Sequence, residues 1–306
     1  MASIIQQRLL DLSLEIATNP AEELGFMHSI MAQCALPTVK PPEGTLTWER
    51  QQGRAKLLLE AGKVLDPRSN QYIQLALPYG PKARLLLMHL NSEAMRRRSP
   101  IIPVEDSMTA FFRRLMGRTQ DGRQAKMLKT QLSALASATF RMGIVQDEEH
   151  AFQVDTKVVG AFDLWFQNDA GQRVLWPSVL KLSLDYYDSL TRFAVPLDER
   201  AVAALAHSAL ALDIYCWLAQ RLHRIPAEKP QFISWSALYD QFGQGYGELR
   251  FFRRDFLKLL TQVRAVYPAA QISEQKRGLS LEQSHPPVAK RVHVLSTGHG
   301  EQLEVN

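Results

Sequence analysis

One ordering of elements occurs twice in this sequence, about 120 residues apart, and it restricts the fold more than any other feature. The order is a helix, a short strand, a second helix, a turn, a third helix and a hairpin. In the first copy Pro81 suits the first turn of a helix over Leu85, Leu86, His89 and Leu90, which runs to the cations Arg96, Arg97 and Arg98 at its C-terminus. Ile101 to Val104 reads as a short strand. Ser107 caps a helix over Ala110, Phe111, Leu115 and Met116 that Gly117 ends. A further helix over about Asp121 to Phe140 sets Leu128, Leu132 and Leu135 on one face and Arg123, Lys126, Thr130, Ser133 and Ser137 on another. Met142 to Val145 and Ala151 to Val154 then flank a polar turn as a hairpin.

The second copy begins with a long helix from about Asp198 to Arg224, carrying Val202, Leu205, Ala209, Leu212, Cys216 and Ala219 at helical spacing. After Pro226 and Pro230 come a strand over Gln231 to Ile233 and a helix capped by Ser234 over Leu238, Tyr239 and Phe242. Gly243, Gly245 and Gly247 make the turn. The next helix points Leu249, Phe252, Phe256, Leu259 and Val263 inward and Arg250, Arg254 and Lys258 outward, one turn apart. Ala270 to Ser273 and Leu279 to Glu282 pair across a basic tip at residues 274–278.

This is the order of a winged helix, in which the second helix of a helix-turn-helix enters the major groove and the hairpin brushes the flanking backbone. The expected fold is mainly α (α+β), with two winged-helix domains in tandem and short β-hairpin wings. Residues 1–75 form an N-terminal helical and turn-rich region, with turns at Leu36 to Gly44, and a short strand followed by a turn at Leu75 to Pro81 leads into the next domain. The first winged domain is 76–170 and the second 171–283. The Pro and Gly-bearing segment 284–306 lacks periodicity and reads as a disordered tail. Either order alone also fits an unrelated αβ arrangement; its repetition argues against that.

The net charge of +5 hides an uneven distribution. Lys82 to Arg141 holds twelve basic and four acidic side chains, net +8; Met142 to Arg200 holds five and ten, net −5; Ala201 to Gln283 holds ten and seven, net +3. Two basic blocks lie over the two copies. They suit a polyanion touched at two places, although charged faces are also simply solvated.

Groove reading needs long cationic or amide side chains on the outer face of the second helix of each pair. Arg123, Gln124, Lys126, Lys129 and Thr130 meet this in the first copy, and Arg250, Arg253, Arg254 and Lys258 in the second. Lys276 and Arg277 at the hairpin tip suit backbone phosphates. The plainer reading of Arg253 is an ion pair with an acid such as Asp255.

No enzyme, cofactor or metal site is expected. Gly62-Lys63 is followed by Val64 and has Leu57 where a phosphate loop needs its first glycine. Tyr186 and Tyr187 lack the paired histidines a nicking enzyme uses, and Gly243, Gly245 and Gly247 follow a helix where a dinucleotide loop follows a strand. Cys34 and Cys216 are too few for a disulfide framework. Ala201 to Ala219 carries His207, Ser208 and Asp213 and would span a membrane poorly. No signal peptide is apparent, and the expected compartment is a bacterial cytoplasm.

Glu23-Leu24-Gly25-Phe26-Met27, Leu36-Pro37, the run from Leu77 through Pro78-Tyr79-Gly80-Pro81 to Leu87, and Phe251-Phe252-Arg253-Arg254-Asp255-Phe256 together resemble the plasmid-encoded RepA replication initiators of broad-host-range plasmids. The resemblance runs from about Glu23 to Glu282. It implies binding of repeated sequences (iterons) in the double-stranded DNA of a plasmid origin, opening of the adjacent duplex, recruitment of host proteins such as the initiator and helicase, and a homodimer made through the first winged domain. Two other functions remain open. One is a winged-helix transcriptional repressor; the other is a helical scaffold that binds no DNA and uses Ala201 to Ala219 as a helix-helix interface.

Overall fold

The computed structural model describes residues 4–66, 69–103, 122–145, 147, 149–161 and 179–288, with Ala110 and Arg113. The chain begins with α1 (Ile4–Thr18), β1 (Leu24–His28), α2 (Ser29–Gln33), β2 (Thr47–Gln52), β3 (Ala55–Glu60), β4 (Lys63–Asp66) and β5 (Gln71–Gln74). It continues through α3 (Gly80–Arg97), β6 (Ile101–Pro103), α4 (Gly122–Ser137), β7 (Thr139–Val145), β8 (Ala151–Lys157) and β9 (Val159–Ala161). Then come β10 (Val179–Leu182), α5 (Leu184–Phe193), β11 (Ala194–Asp198), α6 (Glu199–Leu205), α7 (Ala209–Arg221), β12 (Gln231–Ser234), α8 (Trp235–Phe242), α9 (Leu249–Val266), β13 (Ile272–Gln275) and β14 (Gly278–Leu281).

Two helices buried on nearly every side form the centre: α7, apolar almost all round, and α3, whose buried side chains include the polar Arg84, His89, Asn91, Ser92 and Glu93. Pro81 lies in the first turn of α3, and Arg98 closes it in the left-handed conformation, its N–H bonded to the Ala94 carbonyl. The stretch Ala201 to Ala219 is buried almost throughout, so it is already spent on this core and offers no outer face to a scaffold partner. It is also two helices. Ser208 caps α7, its Oγ accepting from the Ala211 N–H at 3.2 Å, and the single long helix expected from Asp198 breaks there. The apolar spacing runs unbroken across that cap, which hid it.

The hydrophobic core is continuous from Met27 to Leu281 and spans both copies of the repeat. Arg84 on α3 reaches Asp213 on α7 through two hydrogen bonds, Nε to Oδ1 at 2.6 Å and Nη2 to Oδ2 at 2.7 Å. Its other N–H groups donate to the carbonyls of Leu36, Pro37 and Gly80, so the buried charge is fully partnered.

The first 75 residues do not stand apart. Strand β1 pairs antiparallel with β11, Leu24 opposite Asp198 and His28 opposite Ala194, while α1 packs on α6 and α9. Strands β2 and β3 join the hairpin β7 and β8 in a four-stranded sheet of order β2-β3-β7-β8, with Leu57, Leu59 and Ala55 of β3 facing inward. Near the expected strand at Leu75 to Pro81, the paired residues are Gln71–Gln74 on β4; Leu77 is buried without being in a strand.

The two copies differ. In the second, β12, β14 and β13 form one sheet in that order beside α8 and α9, all from residues 231–281. In the first, β6 pairs with β10, which also pairs with β9, while the hairpin β7-β8 adds to β3. The expected helix over Ala110 to Met116, capped by Ser107, lies outside the described residues apart from Ala110 and Arg113. At the other end Ser284 and Val288 are buried, so the segment read as a tail stays packed that far; 289–306 lie outside the described residues. Among the described residues no helix is long and apolar enough to cross a membrane.

Candidate nucleic-acid interface

The α8–α9 pair is set by a cap, a turn and an aromatic cluster. Ser234 Oγ accepts from the Ala237 N–H at 3.1 Å and starts α8. At Gly243 a Cβ would stand 2.4 Å from the Tyr239 ring, and Gly245 has φ of +90°, so the turn requires both glycines. Tyr239 donates its hydroxyl to the Tyr246 carbonyl across this turn. Phe252 and Phe256 are fully buried against Trp235, Tyr239 and Phe242, and Leu260 and Val263 continue their row. The inward row therefore passes through Leu260, with Leu259 only partly buried. Leu249, expected inside, is 42% exposed.

The opposite face of α9 and the hairpin tip converge. Arg250, Arg253 and Arg254 line one groove of about 970 Å³ with Lys276 and Arg277. Pairing of Gln275 with Gly278 leaves Lys276 and Arg277 as a two-residue turn, tighter than the five-residue tip read from the sequence. Gly278 allows the approach: a Cβ there would meet the Ile233 carbonyl oxygen at 1.9 Å. The Trp235 N–H donates to the Arg277 carbonyl at 3.0 Å and ties the tip to the start of α8. Lys258 is exposed on the same helix but does not line the groove.

Each of the three α9 guanidinium groups in the groove is oriented by a carboxylate or a ring. Arg253 donates to Glu274 at 2.8 Å and lies over the Trp235 ring, so its ionic partner is on the hairpin and not Asp255. Asp255 instead accepts from Arg254 at 2.8 Å, a bond that holds its carboxyl below the usual range. Arg250 pairs with Glu248 at 2.9 Å. Arg250 and Arg254 both lie over Phe251, at 4.7 and 5.6 Å from its centroid. Exposed pairs of this kind are worth about 1 kcal/mol or less each, so an incoming phosphate competes with them readily.

The first-copy set is less concentrated. On α4, Arg123, Lys126 and Thr130 are exposed, and Thr130 Oγ1 donates to the Lys126 carbonyl at 3.0 Å. Gln124 accepts from Lys82 at 2.5 Å. Lys129 is half-buried, which lowers the pKa of its ammonium. Arg96 and Arg97 pair with Glu93 inside their own helix. Tyr186 is buried and donates to Asn91 at 2.8 Å, a core role. Sequence reasoning missed Trp235 as a groove wall and Leu249 and Phe251 as exposed residues. The signal was present for Phe251, which falls off the inward row set by Phe252 and Phe256; Leu249 lies on that row by spacing and is exposed as the first residue of the helix.

A model of the family described as plasmid encoded RepA protein matches residues 77–237. Among solved structures the chain is similar to domains 2 and 3 of RctB, in two crystal structures, one of selenomethionine derivatives. Each gives a TM-score of 0.50 at 10% identity over 83% of this chain, covering 98% and 96% of those chains. That likeness is one of fold. No curated protein matches the sequence.

Proposed function

The chain belongs to the family of plasmid-encoded RepA proteins, a family of plasmid replication initiators, and we propose that it binds repeated sequences, iterons, in the double-stranded DNA of a plasmid origin. In this reading two winged-helix domains hold the duplex, the neighbouring DNA opens, and host proteins such as the initiator and helicase are recruited. The observation that carries the reading is the meeting of Arg250, Arg253 and Arg254 with Lys276 and Arg277 in one groove. A helix that presents cations from its first turns, beside a hairpin with a cationic tip, meets a major groove and the adjacent phosphates together. Arg123, Lys126 and Lys129 supply a second contact from α4, and Gln124 and Thr130 lie beside them.

The protein acts by binding, in the bacterial cytoplasm, without ATP hydrolysis or strand cleavage, and as a homodimer in at least one state. A gel shift of the full-length chain on the origin of its own plasmid tests the binding. The expected result is a complex with repeat-bearing duplex that survives excess unrelated DNA. Equal affinity for both would remove the reading. A replication assay then separates an initiator from a repressor that uses the same groove, since only the initiator supports copying of an origin supplied in trans.

A further inference from the structure

The mouth of the α9 groove is cationic, but part of its wall is apolar, and that part does nothing for phosphate. Leu249 is the first residue of α9 and lines the groove at 42% exposure; Phe251, 41% exposed, stands between Arg250 and Arg254 in the same first turn. The core has no use for either. Phe252, Phe256, Leu260 and Val263 already fill the inner face. Exposure of Leu249 among the five groove cations, and of Phe251 beside Arg250 and Arg254 at the groove's edge, is unfavourable in water unless something covers them. The surrounding charge selects an anionic cover.

On a duplex, residues at the N-terminus of a groove-entering helix are those that reach base edges. The aliphatic group a base edge offers in the major groove is the C5-methyl of thymine, and apolar side chains are its match. Cytosine presents a polar amine on its edge and no methyl. We infer that Leu249 and Phe251 are specificity residues that read thymine methyl groups, while the flanking arginines take phosphates and purine edges. This rests on the DNA-binding reading above and adds to it the base that these two positions select.

The arginines hold Phe251 in place. With guanidinium groups 4.7 and 5.6 Å from its centroid, the ring is stacked before any DNA arrives, so little freedom is lost when a methyl packs on it.

The test uses the full-length chain and duplexes selected from a random library for tight binding. Each thymine is replaced singly by uracil, which removes the methyl and keeps every hydrogen-bonding group. Loss of one buried methyl corresponds to about a fourfold fall in affinity. The expected result is such a fall at one or two adjacent thymines, absent in Leu249→Ala or Phe251→Ala, whose salt dependence matches the parent. Leu249→Met should restore most of the discrimination. Both positions are exposed, so the alanine variants should fold normally. Specific binding indifferent to every uracil, or a uracil effect unchanged in both alanine variants, overturns this inference and leaves the DNA reading standing. Failure of the library to yield any preferred duplex overturns both.

Discussion

Arg84 and Asp213 meet inside the core as a bidentate ion pair that joins the central helix of the first copy to that of the second. Removing one partner leaves the other charge buried, so Arg84→Ala or Asp213→Ala should each cost about 3–5 kcal/mol. Chemical denaturation monitored by far-UV circular dichroism measures this. The double replacement Arg84→Met with Asp213→Leu should recover much of the loss. A fragment beginning at Val174 carries Asp213 without Arg84 and should unfold more easily than the whole chain; equal stability would mean the shared core contributes little.

A second prediction concerns acid. His28, the last residue of β1 and the N-cap of α2, is buried; its Nδ1 accepts from the Ile30 N–H at 3.2 Å, which leaves Nε2 to donate to Ser189 at 3.0 Å. Burial lowers its pKa from 6.5 to about 4. The folded state thus resists a proton that the unfolded chain accepts. Stability from this group is complete above pH 6.5 and is lost as the pH falls toward 4, by up to about 3 kcal/mol. The slope of stability against pH in that window should be flatter in His28→Gln than in the parent. Parallel slopes would show that other groups govern the window.

Reading and positioning should separate on α9 and the hairpin. If Arg254 reaches a base edge, Arg254→Ala costs about 1–3 kcal/mol on the selected duplex and little on unrelated DNA, whereas Lys276→Ala weakens both alike. With about six phosphates neutralised, log K should fall against log salt with a slope of about −5, and Lys276→Ala should reduce that slope by about 1. Fluorescence anisotropy across a salt series measures both.

Glu274 restrains Arg253 before binding. Glu274→Gln removes a competing charge from the groove edge and should tighten DNA binding by up to about fivefold, the equivalent of one exposed ion pair. Weaker binding instead would assign Glu274 the role of orienting Arg253 for its contact. Competition gel shifts distinguish the two.

The outward row Arg250, Arg254 and Lys258 was legible because a 3.6-residue period lets two buried phenylalanines locate the exposed side. The hairpin beyond it was legible from Gly278 and the basic tip. Arg253's partner was not, because Glu274 lies on another element and its approach depends on the tight turn at Lys276 and Arg277. Strand partners in the first copy were equally out of reach. Nothing local in Leu57 or Ile102 says that one lies beside Met142 and the other beside Leu180. Pairing at that separation is decided by tertiary packing. The helix break at Ser208 was hidden for the opposite reason: apolar residues keep their spacing on both sides of the cap.

The pairing of β1 with β11 has a consequence for how the chain is made. Leu24 to His28 leave the ribosome well before Ala194 to Asp198 have been synthesised. At 5–20 residues per second the interval is on the order of 10–30 s. Throughout it β1 can pack on α3 but lacks its strand partner, and an unpaired strand is the kind of template that invites pairing with another nascent chain. Translation that stalls before residue 194 should therefore yield aggregation-prone product, and the first half of the molecule reaches its final structure only after the second has been delivered.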